Sequence, residues 1–451
     1  MNALSAEERE LFYEYLRIPS ISARSAHAPD VRACANWLKN LLGSWGLSAE
    51  IAETKGAPVV FAKTRRLEGL PTVLLYGHYD VQPVEPLELW TGLPFEPAER
   101  DGCFFARGAT DNKGQTFSHL IGLKRMLEAG SLPLNLTILL EGEEEIGSPN
   151  LETFLASRGS ELTCDVVLVS DTSMIAKGWP ALTLGLRGIA CFECEITGPS
   201  ADLHSGMFGG GVVNPGMAMA RILASLYAED GSIALPGFYD GVTEVSQAEK
   251  ESWNGLPWDE AWIAQTTGTP AGGGEKARSL LERLWTRPTA EINGLTCGYQ
   301  GEGSKTIIPA VASAKLSFRL VGEQDPDRIA ELVLDWWGKR LSEEGVAGRM
   351  AYDHGGHPFS TSPEDPWIRI AAETLASVFG RAPSFTREGL SIPVVSMLAK
   401  KFGVPIVLAG LGLPDCQAHA PNESFPVANF ELGVTFHMLL MRNWAARSLK
   451  I

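Results

Sequence analysis

Four short apolar runs constrain this chain more than any other feature of it. They lie at 71–76, 134–140, 166–169 and 405–409. Runs this short and this apolar suit strands covered on both faces, as in the sheet of an α/β protein. The segment 115–128 reads as a helix between the first two runs. Two amphipathic helices come before them. In the first, Ser5 and Glu8 form a capping box ahead of the apolar face Leu11, Phe12, Tyr15 and Leu16. The second is expected over 31–42, with Asp30 as its N-cap.

The middle of the chain has another texture. Residues 189–197 alternate apolar and polar, a glycine-rich loop follows, and a helix is expected over 214–227. A second alternating strand over 314–320 and a helix over 327–341 complete a small α+β unit with a half-exposed sheet. Residues 242–274 are polar and read as a surface excursion. From about 357 the buried-strand and helix patterns return, ending in a helix over 429–444. The expected fold is therefore α/β: a catalytic domain with a mostly parallel central sheet flanked by helices, interrupted by an inserted α+β domain. The boundaries fall at 1–186, 187–356 and 357–451.

Charge narrows the partners. The chain has 54 Asp and Glu against 38 Lys and Arg, a net charge of −16, which disfavours nucleic acid and anionic membranes. No apolar run approaches the roughly 20 residues of a membrane helix. The first residues are acidic where a signal peptide would be basic. The seven cysteines form no zinc or disulfide pattern; Cys191 and Cys194 sit on an alternating strand that turns them to opposite faces. Reduced thiols in a cytoplasmic protein are expected.

Chemistry collects where the apolar runs end. His78 and Asp80 follow the first, Glu143, Glu144 and Glu145 the second, Asp171 the third, and a loop with Asp415 and His419 the fourth. Asp111 lies in the glycine-flanked loop ARGATDNKG. Ligands of open α/β sheets bind at the carboxyl ends of the strands. Alone, each of these residues is ordinarily a cap, a turn or a solvated charge. Together, two imidazoles and several carboxylates at one rim would repel without a cation, and mixed N/O donors suit zinc, manganese or cobalt.

Motifs in this order resemble one family closely: YGHYDVQPV at 76–84, RGATDNKG at 107–114, EGEEEIGS at 141–148, SDTSM at 170–174, DLHSGMFGG at 202–210, GSKTIIP at 303–309, LSFRLV at 316–321, TREGLSIP at 386–393 and AHAPNE at 418–423. The chain resembles the dinuclear metallopeptidases related to cytosolic nonspecific dipeptidase and carnosinase. That family also includes aminoacylase, glutamate carboxypeptidase and succinyl-diaminopimelate desuccinylase. The Trp285-to-Pro288 spacing and the excursion before it resemble the dipeptidase branch.

The resemblance implies two divalent metal ions per subunit, zinc first, with manganese or cobalt as alternatives. His78 and Asp171 would bind one ion, Glu145 and His419 the other, and Asp111 would bridge both. Asp80 would orient His78. Glu144 would be the general base that takes the proton of the bridging water, leaving the bridging hydroxide, with Glu143 solvated or structural. His204 would stabilise the oxyanion from the partner subunit's inserted domain, which serves as lid and dimerisation domain of a homodimer. Arg319 would pair with the substrate carboxylate, and Thr306, Arg387 and Ser391 would complete that pocket. The implied reaction is hydrolysis of dipeptides or short peptides with a free C-terminal carboxylate. The alternative is an N-acyl-amino-acid amidohydrolase or desuccinylase using the same centre. The sequence departs from the dipeptidase branch at Leu390, where a glycine is usual, and at Asn293, where carnosinases tend to carry histidine. The other histidines, His27, His119, His354, His357 and His437, match no site motif.

Overall fold

Continuous burial makes the four apolar runs into adjacent strands. In the computed structural model, which describes residues 3–389 and 392–448, they form the parallel centre of one sheet. The order is Asn135–Glu141, Thr72–His78, Val166–Val169, Ile406–Leu408, each parallel to its neighbour. Every residue of Asn135–Glu141, Val166–Val169 and Ile406–Leu408 is buried, as strands covered on both faces must be. Antiparallel strands flank this centre: Val59–Lys63 and Ser48–Ala52 on one side, Ala181–Leu186 on the other. All four carboxyl ends of the parallel strands therefore open on one edge.

The chain divides into two compact units. The first comprises the described parts of Met1–Leu184, Thr361–Thr386 and Pro393–Ile451; the second, Gly185–Ser360 and the described parts of Arg387–Ile392. In the first, helices Ala6–Arg17, Lys113–Glu128 and Val427–Ser448 pack through Phe12, Phe117 and Phe430, with ring centroids 5.7 and 4.9 Å from Phe12. Burying each such ring stabilises the unit by about 1.5–3 kcal/mol. The capping box of the first helix is present, with Ser5 and Glu8 each accepting the other's backbone N–H.

The second unit holds an antiparallel sheet in the order Thr289–Cys297, Val311–Leu320, Gly188–Thr197, Ala347–Gly356. Gly188–Thr197 alternates as its sequence does, and Ala190, Phe192, Cys194 and Ile196 enter a core with helices Pro215–Ala224 and Pro326–Glu344. Cys194 is buried while Cys191 is only half-buried on the other face, and all seven cysteines are free thiols.

Two local expectations need correction. The second helix runs Ala28–Ser44, not 31–42, and His27 rather than Asp30 stands at its N-cap. Pro29 is preorganised for a first turn and starts the helix earlier; Asp30 lies inside that turn, 2.8 Å from His27 Nδ1. The excursion at 242–274 is not merely surface. It contains helices Gln247–Ser252 and Glu260–Thr267, sets Trp253 and Trp258 edge-on to Trp285 at 5.3 and 5.5 Å, and buries Glu249. Among the described residues no helix is long and apolar enough to cross a membrane.

Candidate metal centre

The carboxyl ends of three central strands and the loops that carry Asp111 and His419 bring five predicted ligands together in the first unit. His78 closes its strand fully buried, with Nε2 3.2 Å from Asp111 Oδ1 and 3.7 Å from Asp171 Oδ2. His419, half out in solvent, has Nε2 2.7 Å from Asp111 Oδ2 and 3.3 Å from Glu145 Oε2. These are two three-residue groups, His78–Asp111–Asp171 and Asp111–Glu145–His419, each with donor atoms within 4.8 Å of one another. Asp111 belongs to both and turns one oxygen toward each imidazole.

Surrounding residues hold these donors in place. Asp80 is fully buried, with Oδ1 3.3 Å from His78 Nδ1; the hydrogen bond of that nitrogen goes to the Asp80 carbonyl at 3.1 Å. The Asp80 carboxylate also accepts the backbone N–H of Glu144 and of Glu145. Asn112 donates through Nδ2 to Asp171 Oδ1 at 2.7 Å and to the Ser170 carbonyl at 2.6 Å. Gln82 donates to Glu145 Oε2 at 2.7 Å. Gly114 lets the helix after Asp111 start tightly, since a Cβ there would stand 1.8 Å from the Ala109 carbonyl oxygen. Glu143 is held by other partners: it accepts from the Ala57 N–H and from Asn150 Nδ2.

The electrostatics call for positive charge. Burial pushes the Asp111 carboxyl up, but the imidazoles of His419 and His78 outweigh it and hold the group below the usual range. His419 is raised to about 10 by its hydrogen bonds to Asp111 and Glu145. Glu144 is raised by burial, and further by the charges of Asp171, Glu145 and Asp111. The cluster thus takes up protons to offset its own acids, the role a divalent cation fills by displacing them. One buried oxygen of Glu145, Oε1, has no hydrogen-bond partner. Imidazole and carboxylate donors in two sets joined by one shared carboxylate fit a pair of divalent cations.

The predicted substrate residues lie in the second unit. His204 is exposed at the N-cap of Ser205–Phe208, with Nδ1 accepting the Gly206 N–H. Thr306 is beside it: the Ser205 N–H donates to the Thr306 carbonyl, and His204 pairs with Ile307 across two short strands. Arg319 is half-buried on Val311–Leu320, opposite Ile189 and Thr289. Burial, and next the charge of Arg319, lowers Arg187 to about 10, so a second guanidinium that the sequence reading passed over lies near it. Arg387 is engaged by Glu249, with Nε 2.6 Å from Oε1 and Nη2 3.2 Å from Oε2. Ser391, and the departure at Leu390, lie outside the described residues. Sequence reading also missed Asn112, Gln82 and Glu423; all three stand inside or beside motifs quoted for the resemblance, which was the available signal.

Comparison with known proteins agrees with this geometry. Residues 74–443 match the model of peptidase family M20/M25/M40. The Cys-Gly metallodipeptidase dug1 of Schizosaccharomyces pombe is 30% identical over 433 residues, covering 92% of this chain and 91% of that protein. The Beta-Ala-His dipeptidase of Mus musculus is 30% identical over 382 residues, covering 83% and 77%. Among solved structures, the M20 family metallo-carboxypeptidase Sso-CP2 from Sulfolobus solfataricus superposes with a TM-score of 0.84 at 33% identity, over 98% of this chain and all of that one. The chain therefore belongs to peptidase family M20/M25/M40.

Proposed function

We propose that the protein is a dinuclear metallodipeptidase that cleaves the amide bond of dipeptides or short peptides bearing a free C-terminal carboxylate. The observation that carries this reading is the pair of ligand groups sharing Asp111. Dipeptidase relatives spanning most of the chain support the substrate class.

His78 and Asp171 would hold one cation, Glu145 and His419 the other, with Asp111 between them. Bound divalent cations supply Lewis acidity and make a coordinated water acidic enough to ionise near neutral pH. Glu144 accepts the water proton on its carboxylate and returns it to the leaving amine nitrogen. Asp80 keeps Glu144 in register through its N–H. Arg319 pairs with the substrate carboxylate, His204 donates to the oxyanion, and Thr306 and Ser391 complete the pocket. Arg387, held by Glu249, joins Thr306 and Ser391 in that pocket.

Zinc is the first choice of metal, with manganese and cobalt behind it. The exposed apolar residues Met207, Phe208, Val212, Val213 and Met217, next to His204, support a homodimer formed through the second unit, which acts as lid and dimerisation domain. Seven free thiols support a reducing, cytoplasmic setting.

The test is a panel of free dipeptides and N-acyl amino acids, assayed on chelated enzyme before and after zinc or manganese is restored. Dipeptide hydrolysis that vanishes on chelation and returns with metal is expected. Full activity after chelation, or hydrolysis confined to the acylated set, would overturn the reading; the second result favours an amidohydrolase.

A further inference from the structure

Glu423 has no exposed surface and accepts four hydrogen bonds. Its Oε2 takes the Gly108 N–H and Arg107 Nη1, both at 2.8 Å. Its Oε1 takes the N–H groups of Thr110 and Asp111, at 2.8 and 2.9 Å. Arg107, 1% exposed, is its buried counter-ion. One carboxylate thus fixes the backbone that carries Asp111.

Glu423 also lies four residues after His419, on the same loop. Two further bonds join the two loops: Ala106 N–H to the Glu423 carbonyl at 3.2 Å, and Thr110 Oγ1 to the Ser424 carbonyl at 2.6 Å. The ligand groups depend on this seam unequally. His78 and Asp171 stand at the ends of neighbouring buried strands, whereas Asp111 and His419 are both borne on loops that meet at Glu423.

We propose that Glu423 is a positioning residue that registers the Asp111 loop against the His419 loop, and that the Asp111–Glu145–His419 cation site depends on it more than the His78–Asp111–Asp171 site does. This rests on the dinuclear reading above. An amide at 423 turns one acceptor into a donor facing backbone N–H groups and leaves Arg107 buried without its counter-charge. The disturbance moves two ligands of one group but only the shared ligand of the other.

The test is calorimetric titration of the whole metal-stripped chain with Mn²⁺ alone, comparing wild type, Glu423→Gln and Thr110→Val. Wild type should bind two ions. Glu423→Gln should bind one ion only slightly more weakly and the second about 10–100-fold more weakly, the usual effect of losing a residue that orients ligands. Thr110→Val, which removes the side-chain bonding of Thr110 to Ser424 and Cys416 and leaves Glu423 in place, should weaken the same site less, and it decides the matter if the glutamine variant does not fold. Two unchanged sites in the folded variants, or equal weakening of both, would overturn the inference. Fewer than two ions in wild type would instead overturn the dinuclear reading.

Discussion

Asp80 accepts the backbone N–H of Glu144 at 3.3 Å. Its other oxygen accepts the N–H of Glu145 at 3.1 Å, and the same carboxylate faces His78 Nδ1. One buried anion therefore sets a ligand from each group and the residue between them. Glu143 is spent on Ala57 and Asn150, which supports the proposal of Glu144 as the base. Glu144→Gln should lower kcat by about 10²–10⁴-fold with metal content unchanged, as metal analysis beside steady-state kinetics would show. Glu143→Gln should instead lower the unfolding midpoint and largely spare kcat.

The central sheet was legible in the sequence because parallel strands must be apolar on both faces, and Leu136–Leu140 and Val166–Val169 have no wet side to disguise them. His78, Glu145 and Asp171 were legible as candidate ligands because buried strands deliver their next residues to the rim, whereas Asp111 and His419 stand on loops and were read from their motifs. Glu423 was not: its partners are backbone N–H groups more than three hundred positions away, and no side-chain pattern encodes them. Glu249 was hidden in another way. A polar segment reads as solvated, yet this one packs its own Trp253 and Trp258 on Trp285 and buries one of its acids against Arg387. The start of the second helix was misjudged because Asp30 is a good cap by type, while Pro29 just before it had already fixed the first turn.

The Arg387–Glu249 pair should behave as a buried ion pair. Glu249 retains 5% of its side-chain exposure and Arg387 18%. Removing one partner leaves the other charge unmatched at a cost of about 3–5 kcal/mol, whereas replacing both should cost less than the two single changes together. Urea unfolding of Glu249→Gln, Arg387→Met and the double variant measures this. A rise in KM for Arg387→Met with unchanged stability would support its place in the substrate pocket and contradict a structural ion pair.

Glu141 predicts a pH dependence. It is buried, accepts from Tyr76 and Ser148, and is raised from 4.5 to about 7 by burial and by the charge of Asp80. The folded chain then binds a proton that the unfolded chain has lost. The stability this provides is full below about 4.5, declines as pH rises, and is gone above about 7, a change of about 3 kcal/mol. Glu141→Gln keeps an acceptor for both hydroxyls and should remove this component. Unfolding free energies of the two proteins at about pH 5 and about pH 8 would reveal it as a difference between their slopes.

If His204 acts from the partner subunit, two inactive chains should complement. Mixing His204→Ala with Glu144→Gln under verified subunit exchange should restore about a quarter of wild-type activity, since half the dimers are mixed and each has one intact site. No recovery would put His204 in the same subunit as its metal centre.

Anomalous diffraction from crystals of the manganese-loaded chain tests the central claim most directly. Two peaks are predicted, one touching His78 and Asp171, the other Glu145 and His419, with Asp111 reaching both. A single peak, or ions bound away from Asp111, would contradict it.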